Sequence, residues 1–320
     1  MTQISVIVPV FNEEESLPEL TQWISRVMDT HGFSYEVIMI NDGSTDRSWE
    51  VIQQVSSQNQ NLKGLNFTRN YGKSAALDAG FRRAIGEVII TMDADLQDSP
   101  DEIPGLYNTV IQEGLDVVSG WKKERHDPIS KTIPSKFFNG VTRWISGIQL
   151  HDFNCGLKAY RNKVVKNIQV YGEMHRYIPL LAKWNGFGKI GERVVQHQAR
   201  KYGYSKFGLE RFLNGFLDLI TVSFVHRYKK KPMHFFGLLG TLSFLTGFVI
   251  TFWLIFEKIY GLSQGQKVRE IVDQPLFFLA LVALIIGVQL FVTGFIAELM
   301  TSNQSKEIEY KIDEELNFDF

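Results

Sequence analysis

The segment Asp93-Ala94-Asp95-Leu96-Gln97 follows an apolar run, Glu87 to Met92, and precedes SPDEIP, where Ser and Pro are suited to open a helix. In an extended segment residues i and i+2 project to the same side, so two carboxylates and a glutamine carbonyl converge on one hard cation. A divalent ion held there anchors a diphosphate and neutralises the charge that builds up as it departs. As a bare pattern Asp-x-Asp also reads as a solvated turn; its place at the carboxyl end of a strand favours the metal reading.

A second group, Asn41-Asp42-Gly43-Ser44-Thr45-Asp46, follows the run Tyr35 to Ile40. Gly43 to Asp46 is turn chemistry, with Ser44 or Thr45 as a helix cap. Asp42 differs: a carboxylate ending a buried strand, level with Asp93, suits a ribose or a base. Pro9-Val10-Phe11-Asn12-Glu13 ends the first strand in the same way, so three strand ends present polar groups along one edge.

A third group is basic: Trp121-Lys122-Lys123-Glu124-Arg125-His126, then Lys131 and Lys136, and later Arg200 to Lys206. Single lysines in such runs read as solvated faces. Arg200 and Lys206 flank a Gly-containing loop, and a cationic loop there meets phosphates from a nucleotide and from lipid. Two phosphate motifs fail. Gly186-Phe187-Gly188-Lys189-Ile190-Gly191 spells G-x-G-x-x-G but follows a helical pattern and precedes a strand. Gly72-Lys73-Ser74 lacks the earlier P-loop glycine, whose place Phe67 takes.

The elements that carry these groups alternate. Ile4 to Val10, Tyr35 to Ile40, Leu62 to Phe67, Glu87 to Met92 and Asp116 to Ser119 have strand composition, with helical segments between them. That order predicts βαβ units and a mostly parallel sheet. Met233 to Phe256 and Pro275 to Ala297 are uncharged and apolar, and each exceeds the roughly 20 residues that span a bilayer. The basic cluster Arg227, Lys229, Lys230 and Lys231 places the start of the first span in the cytoplasm, and a hairpin returns Thr301 to Phe320 to that side. Between domain and span, Phe207 to Arg227 has apolar residues at helical spacing; an interfacial helix and an ordinary core helix both fit. The acidic tail reads as a solvated end. A net charge of -1 gives no reason to bind nucleic acid, and Cys155, alone, forms no intramolecular disulfide. The N-terminus enters a strand without a basic leader or cleavage site, so the first domain is expected in the cytoplasm.

Taken together, VPVFNEEESL, NDGSTD, RNYGKSAAL and DADLQDSPDEIP resemble the inverting family 2 glycosyltransferases of the α/β GT-A fold. GWKKERHDP, HDFNCGLKAYR, GEMHRYIP and ARKYGYSKFG resemble its polyisoprenyl-phosphate branch, which includes dolichol-phosphate mannose synthases and bactoprenol glucosyltransferases. The resemblance implies that Pro9, Phe11, Glu13, Asp42, Lys73, Asp93, Ala94 and Asp95 surround a nucleotide sugar, while Asp93, Asp95 and Gln97 meet Mg2+ or Mn2+. It implies that Lys122, Arg125, Ser135, Arg200 and Lys206 lie towards the acceptor phosphate. Asp152 matches an aspartate near the reacting sugar, as a base or as a positioning group. Many relatives have a second aspartate where this chain has Asn41.

The expected organisation is a catalytic domain over 1–205, a juxtamembrane amphipathic helix and basic linker over 206–231, a two-helix hairpin over 232–300, and a cytoplasmic tail over 301–320. The expected reaction is metal-dependent inverting transfer of one sugar, with UDP-glucose and undecaprenyl phosphate as the first choice of substrates, by a homo-oligomer such as a tetramer. Two rivals are a processive polysaccharide synthase and a non-catalytic membrane scaffold. The synthase carries Gln-x-x-Arg-Trp, but here Gly140 precedes Arg143-Trp144 at the glutamine position.

Overall fold

The computed structural model describes residues 2–123, 139–198, 201, 221, 224, 228, 231–302 and 312–317. The chain divides into two units: Met1–Ile220 with Ile308–Phe320, and Thr221–Glu307.

In the first unit β1 (Ile4–Val10), α1 (Leu17–His31), β2 (Tyr35–Asn41), α2 (Ser48–Gln58), β3 (Leu62–Phe67), α3 (Lys73–Arg83) and β4 (Val88–Thr91) alternate as the apolar periodicity predicts. Leu17, Leu20, Ile24, Val27 and Met28 of α1 are buried at three- and four-residue spacing, and Gly32 ends the helix at φ 67°, a left-handed position that suits glycine. Every residue of β2 is buried, as expected for a parallel strand covered on both faces. After β4 come α4 (Ile103–Gln112), β5 (Val117–Trp121), β6 (Lys158–Arg161), α5 (Ile178–Trp184) and β7 (Ile190–Val194).

The sheet runs β7-β5-β6-β4-β1-β2-β3, with β8 (Ile312–Leu316) outside β3. Strands β1 to β4 are parallel in register, Val10 beside Asn41 and Ile7 beside Thr91. The chain winds one way from β1 to β3 and then crosses to β4 on the other side of β1. That reversal opens a crevice at the carboxyl ends of β1 and β4, where ligands of such sheets bind. Strand β6 lies antiparallel between β4 and β5, so the sheet is mixed rather than wholly parallel.

The tail corrects the expectation of a solvated end. β8 pairs antiparallel with β3, Leu65 opposite Glu315. Trp49 Nε1 donates to Glu314 Oε2 at 2.8 Å, and Asn317 Nδ2 donates to the carbonyls of Ser56 and Leu62, each at 2.9 Å. Its charge is what edge strands use against further pairing, and the same charge disguises the strand in the sequence.

The second unit is a pair of long helices, α6 (Pro232–Ser263) and α7 (Pro275–Ser302). Glycines bring the backbones together: a Cβ on Gly240 would lie 2.7 Å from the Gly287 carbonyl oxygen, and one on Gly287 would lie 2.6 Å from Phe244 N. Glu298 Oε2 accepts from Met233 N at 3.2 Å, capping the start of α6. Only 17% and 11% of the most apolar stretches of the two helices are buried. A core helix of a soluble domain buries most of such a surface, so two helices of this length and composition suit a bilayer. The helix expected over Phe207 to Arg227 lies almost entirely outside the described residues.

Candidate active site

Three loops at the carboxyl ends of the parallel strands hold one another. Asn12, at φ 57°, lies two residues beyond the end of β1. Its Oδ1 accepts from Thr45 N at 2.8 Å, and its own N–H donates to Ser44 Oγ at 3.0 Å. The next two amides donate to Ser48 Oγ at 2.9 Å and Asp46 Oδ2 at 3.2 Å. Asp46 Oδ1 also accepts from Ser48 N at 3.0 Å, so Asp46, rather than Ser44 or Thr45, serves the first turn of α2. Gly43 stands at φ 64° where a Cβ would fall 2.4 Å from the backbone of Arg69 and Asn70; only glycine fits so close an approach.

Asp42 is 4% exposed. Its Oδ1 accepts from Tyr71 N at 2.7 Å, and Gly72 N lies 3.2 Å from Oδ1 and 3.0 Å from Oδ2. Burial raises its pKa above the ordinary value, and the two amide donors pull against that rise. Asp42 therefore pins the loop that leads from β3 into α3, with Lys73 as the first residue of that helix.

The segment after β4 corrects the extended geometry expected of Asp93 to Gln97. It turns, with Leu96 at φ 61°. Asp93 and Asp95 line the crevice, whereas Gln97 does not; its N–H donates to Asp95 Oδ1 at 3.2 Å and its carbonyl accepts from Gln198 N at 2.9 Å. Lys73 Nζ is bonded to Asp93 Oδ1, with both side chains about a third exposed. Burial would raise the Asp93 pKa, but the ammonium of Lys73 prevails and holds it down to about 2. Among the described residues no group of three or more His, Cys, Asp or Glu is placed to hold a metal.

The resulting cleft encloses about 290 Å³. Pro9, Phe11 and Glu13 come from the end of β1, Asp42 from β2, Lys73 from α3, and Asp93, Ala94 and Asp95 from β4. All eight residues expected around a nucleotide sugar are thus brought together. Val10, Asn70 and Gly72 complete the wall. Asn70 stands in the RNYGKSAAL stretch three residues past the end of β3, but of that stretch only Lys73 was expected at the site.

Behind Asp93 lies the segment 152–158, tied to the ends of β4 and β5. Thr91 Oγ1 donates to the Gly156 carbonyl at 2.8 Å, Ser119 Oγ to that of Asp152 at 3.1 Å, and Lys158 Nζ to that of Cys155. Asp152 is 1% exposed and outside the cleft wall, and its Oδ1 accepts from Asn154 N at 3.0 Å, closing a tight turn. Cys155 is buried, which pushes its thiol up to about 12. Lys158 is 4% exposed, and burial lowers its pKa. Its burial was not foreseen, since a lysine entering a strand normally reads as solvated.

Lys122, expected towards the acceptor, is paired at 2.8 Å with Asp98, which is 1% exposed. Burial works to lower the lysine's pKa, but the carboxylate outweighs it and the net shift is upward. Among the described residues Asp98 Oδ2 has no hydrogen-bond partner. Arg125, Ser135, Arg200 and Lys206 lie outside the described residues. The discarded glycine motif follows α5 and runs into the start of β7, the order expected from the sequence.

Residues 5–169 match the family model described as Glycosyl transferase family 2. The chain is 37% identical over 302 residues to the dodecaprenyl-phosphate galacturonate synthase of Rhizobium johnstonii, covering 93% of this chain and 87% of that one. It is 35% identical over 300 residues to an undecaprenyl-phosphate 4-deoxy-4-formamido-L-arabinose transferase of Pseudomonas aeruginosa, covering 93% and 84%. A solved structure of glucosyl-3-phosphoglycerate synthase from Mycobacterium tuberculosis, in complex with Mn2+ and uridine-diphosphate-glucose, shares the fold. Its TM-score is 0.55 at 18% identity, covering 70% of this chain and 79% of that one. With the GT-A-like sheet, the carboxylate-lined cleft at its reversal point and relatives that act on polyprenyl phosphates, this chain belongs to glycosyl transferase family 2 and is a glycosyltransferase.

Proposed function

We propose that the protein transfers a single sugar from a nucleoside diphosphate sugar to a membrane polyprenyl phosphate, with inversion at the anomeric carbon. The observation that carries this is the cleft in which Lys73 at the start of α3 faces Asp93 and Asp95, a place for a diphosphate between a cation and a cation-binding pair. The two relatives named above take polyprenyl phosphates, and their similarity extends over 93% of this chain, including the helical pair.

Asp93 and Asp95 fit a divalent ion. Mg2+ is commonly held by one or two carboxylates with substrate phosphates completing its shell, and Asp93 and Asp95, with no third His, Cys, Asp or Glu among the described residues grouped with them, are that donor set. When bound, such an ion supplies charge neutralisation for the departing diphosphate. The chain's own residues do the rest. Lys73, the first residue of α3, faces the diphosphate at the amino end of that helix. Asp42 keeps the 70–72 loop against the nucleotide. A lipid monophosphate, with a second pKa of about 6, is already a nucleophile at neutral pH and needs no strong base. Asp152, buried and engaged with Asn154 N, is accordingly a positioning group for the segment behind Asp93.

The chain leaves the catalytic unit before α6 and rejoins it at β8, which requires an even number of crossings if the helices span a membrane. This connectivity supports a hairpin with both ends in the cytoplasm, and anchors the enzyme to the bilayer that its acceptor cannot leave. The test is transfer of labelled sugar from a panel of UDP- and GDP-sugars, with glucose, galacturonate and 4-formamido-arabinose among them, to undecaprenyl phosphate, with and without Mg2+ or Mn2+. Metal-dependent formation of a lipid-linked monosaccharide is expected, and Asp95→Asn should reduce turnover by about a hundredfold or more without changing the thermal midpoint. Absence of lipid product from every donor would overturn the proposal.

A further inference from the structure

We propose that Lys73 is a latch on the divalent-cation site: it occupies Asp93 in the free enzyme and releases it only to a nucleoside diphosphate, so that metal and donor bind together. The inference rests on the metal-dependent reading above and adds an order to it.

The geometry leaves Lys73 as the group that moves. Asp93 cannot turn away, because the backbone of Gly156 lies against its carboxyl group; a Cβ there would fall 2.6 Å from Oδ2 and 2.8 Å from Oδ1. Gly156 is itself held, its carbonyl accepting from Thr91 Oγ1 at 2.8 Å. The backbone at Lys73 is fixed from both sides. Gly72 N is bonded to Asp42, and Ser74 Oγ accepts from His175 N at 3.1 Å. What remains free to swing is the lysine side chain, four methylenes long and about a third exposed.

Its charge sets the consequence. Among the described residues the protein offers a cation the two carboxylates of Asp93 and Asp95 and no third ligand of His, Cys, Asp or Glu type. One of the two is already neutralised by an ammonium that also repels a second cation. A hydrated dication arriving alone therefore gains few ligands and must displace or outcompete that ammonium, although Glu13 and Asp42 line the same cleft. A nucleoside diphosphate changes both conditions, since its oxygens complete the metal's shell and its negative charge gives Lys73 another partner at the amino end of α3. Lys73 then exchanges Asp93 for the diphosphate, and the carboxylate, where it stands, is left to the metal.

The test is Mn2+ binding to the full-length protein in detergent, followed by the electron paramagnetic resonance signal of free Mn2+, with no nucleotide and with saturating UDP or GDP. Wild type is expected to bind Mn2+ weakly alone and at least about tenfold more tightly with one of the nucleotides. Lys73→Met and Lys73→Gln should raise the nucleotide-free affinity about tenfold, because a repelling charge next to the site is gone, while Lys73→Arg, which keeps the ion pair, should bind as wild type does. If both neutral variants bind Mn2+ no better than wild type, while wild type responds to nucleotide, the latch is refuted and the metal-dependent reading stands. If wild type binds no Mn2+ with either nucleotide, the metal-dependent reading fails, and the latch with it.

Discussion

Replacing Asp42 tests whether this carboxylate acts on the nucleotide or on the loop that faces it. In the structure its oxygens are engaged by the amides of Tyr71 at 2.7 Å and Gly72 at 3.0 Å, with the residue 4% exposed. Hydrogen bonds to a charged acceptor contribute about 1.5–3 kcal/mol each, so Asp42→Ala forfeits about 3–6 kcal/mol of support for the loop before relief of the carboxylate's burial cost is counted. That relief is real, since burial raises the pKa of Asp42, and it places the net loss near the lower end, about 3 kcal/mol. In Asp42→Asn the carbonyl oxygen in the Oδ1 position still accepts from both amides, and losing the charge and the second oxygen costs about 1.4 kcal/mol. If the loop is near balance between open and closed and must be closed to bind the donor, affinity falls with the fraction closed, by up to about tenfold for Asn and about a hundredfold for Ala. Calorimetric titration with nucleotide gives the affinities, and hydrogen exchange at Tyr71 and Gly72, accelerated in the Ala variant, reports the loop. A result in which Asn is as damaging as Ala while exchange at both amides is unchanged would refute the reasoning and place the carboxylate on the nucleotide itself.

Removing residues 312–320, or substituting Asn317→Ala with its two bonds to backbone carbonyls, should lower the thermal midpoint of the catalytic unit. The single substitution costs about 1–2 kcal/mol, and the deletion should in addition promote aggregation through the bared edge of β3, measurable by light scattering. Cys155, buried with its thiol pushed up to about 12, should resist alkylation by iodoacetamide at pH 8 in the folded protein and react once the protein is denatured. Gly287→Leu should separate α6 from α7, because even a Cβ there would meet Phe244 N at 2.6 Å; a cysteine pair engineered across the two helices would then crosslink poorly, with loss of folded yield.

Local pattern was sufficient for β1 to β5 and for the apolar helices. A parallel strand buried on both faces must be a short continuous apolar run, and a helix in hydrocarbon must be a long one, so neither depends on what lies opposite. The cleft was legible for a related reason. Residues directly after parallel strands arrive at one edge of the sheet whatever the loops do, which is why Pro9, Asp42 and Asp93 could be placed together from the sequence. Antiparallel β6 and β8 were not legible in this way: β6 opens on a buried lysine, and β8 is acidic, so each is recognisable only beside the partner it pairs with.

Partner choice among polar side chains lay further out of reach. Lys122 pairs with Asp98, Lys73 with Asp93, and Asp42 with two amides about 30 positions along, while Gln97 turns its backbone to Gln198. A charged residue in a sequence shows its charge but not which opposite group desolvation will force it to face. Tertiary structure alone decides that, because an unpaired charge is cheap in water and costly once buried, and burial is set by the packing of the whole domain.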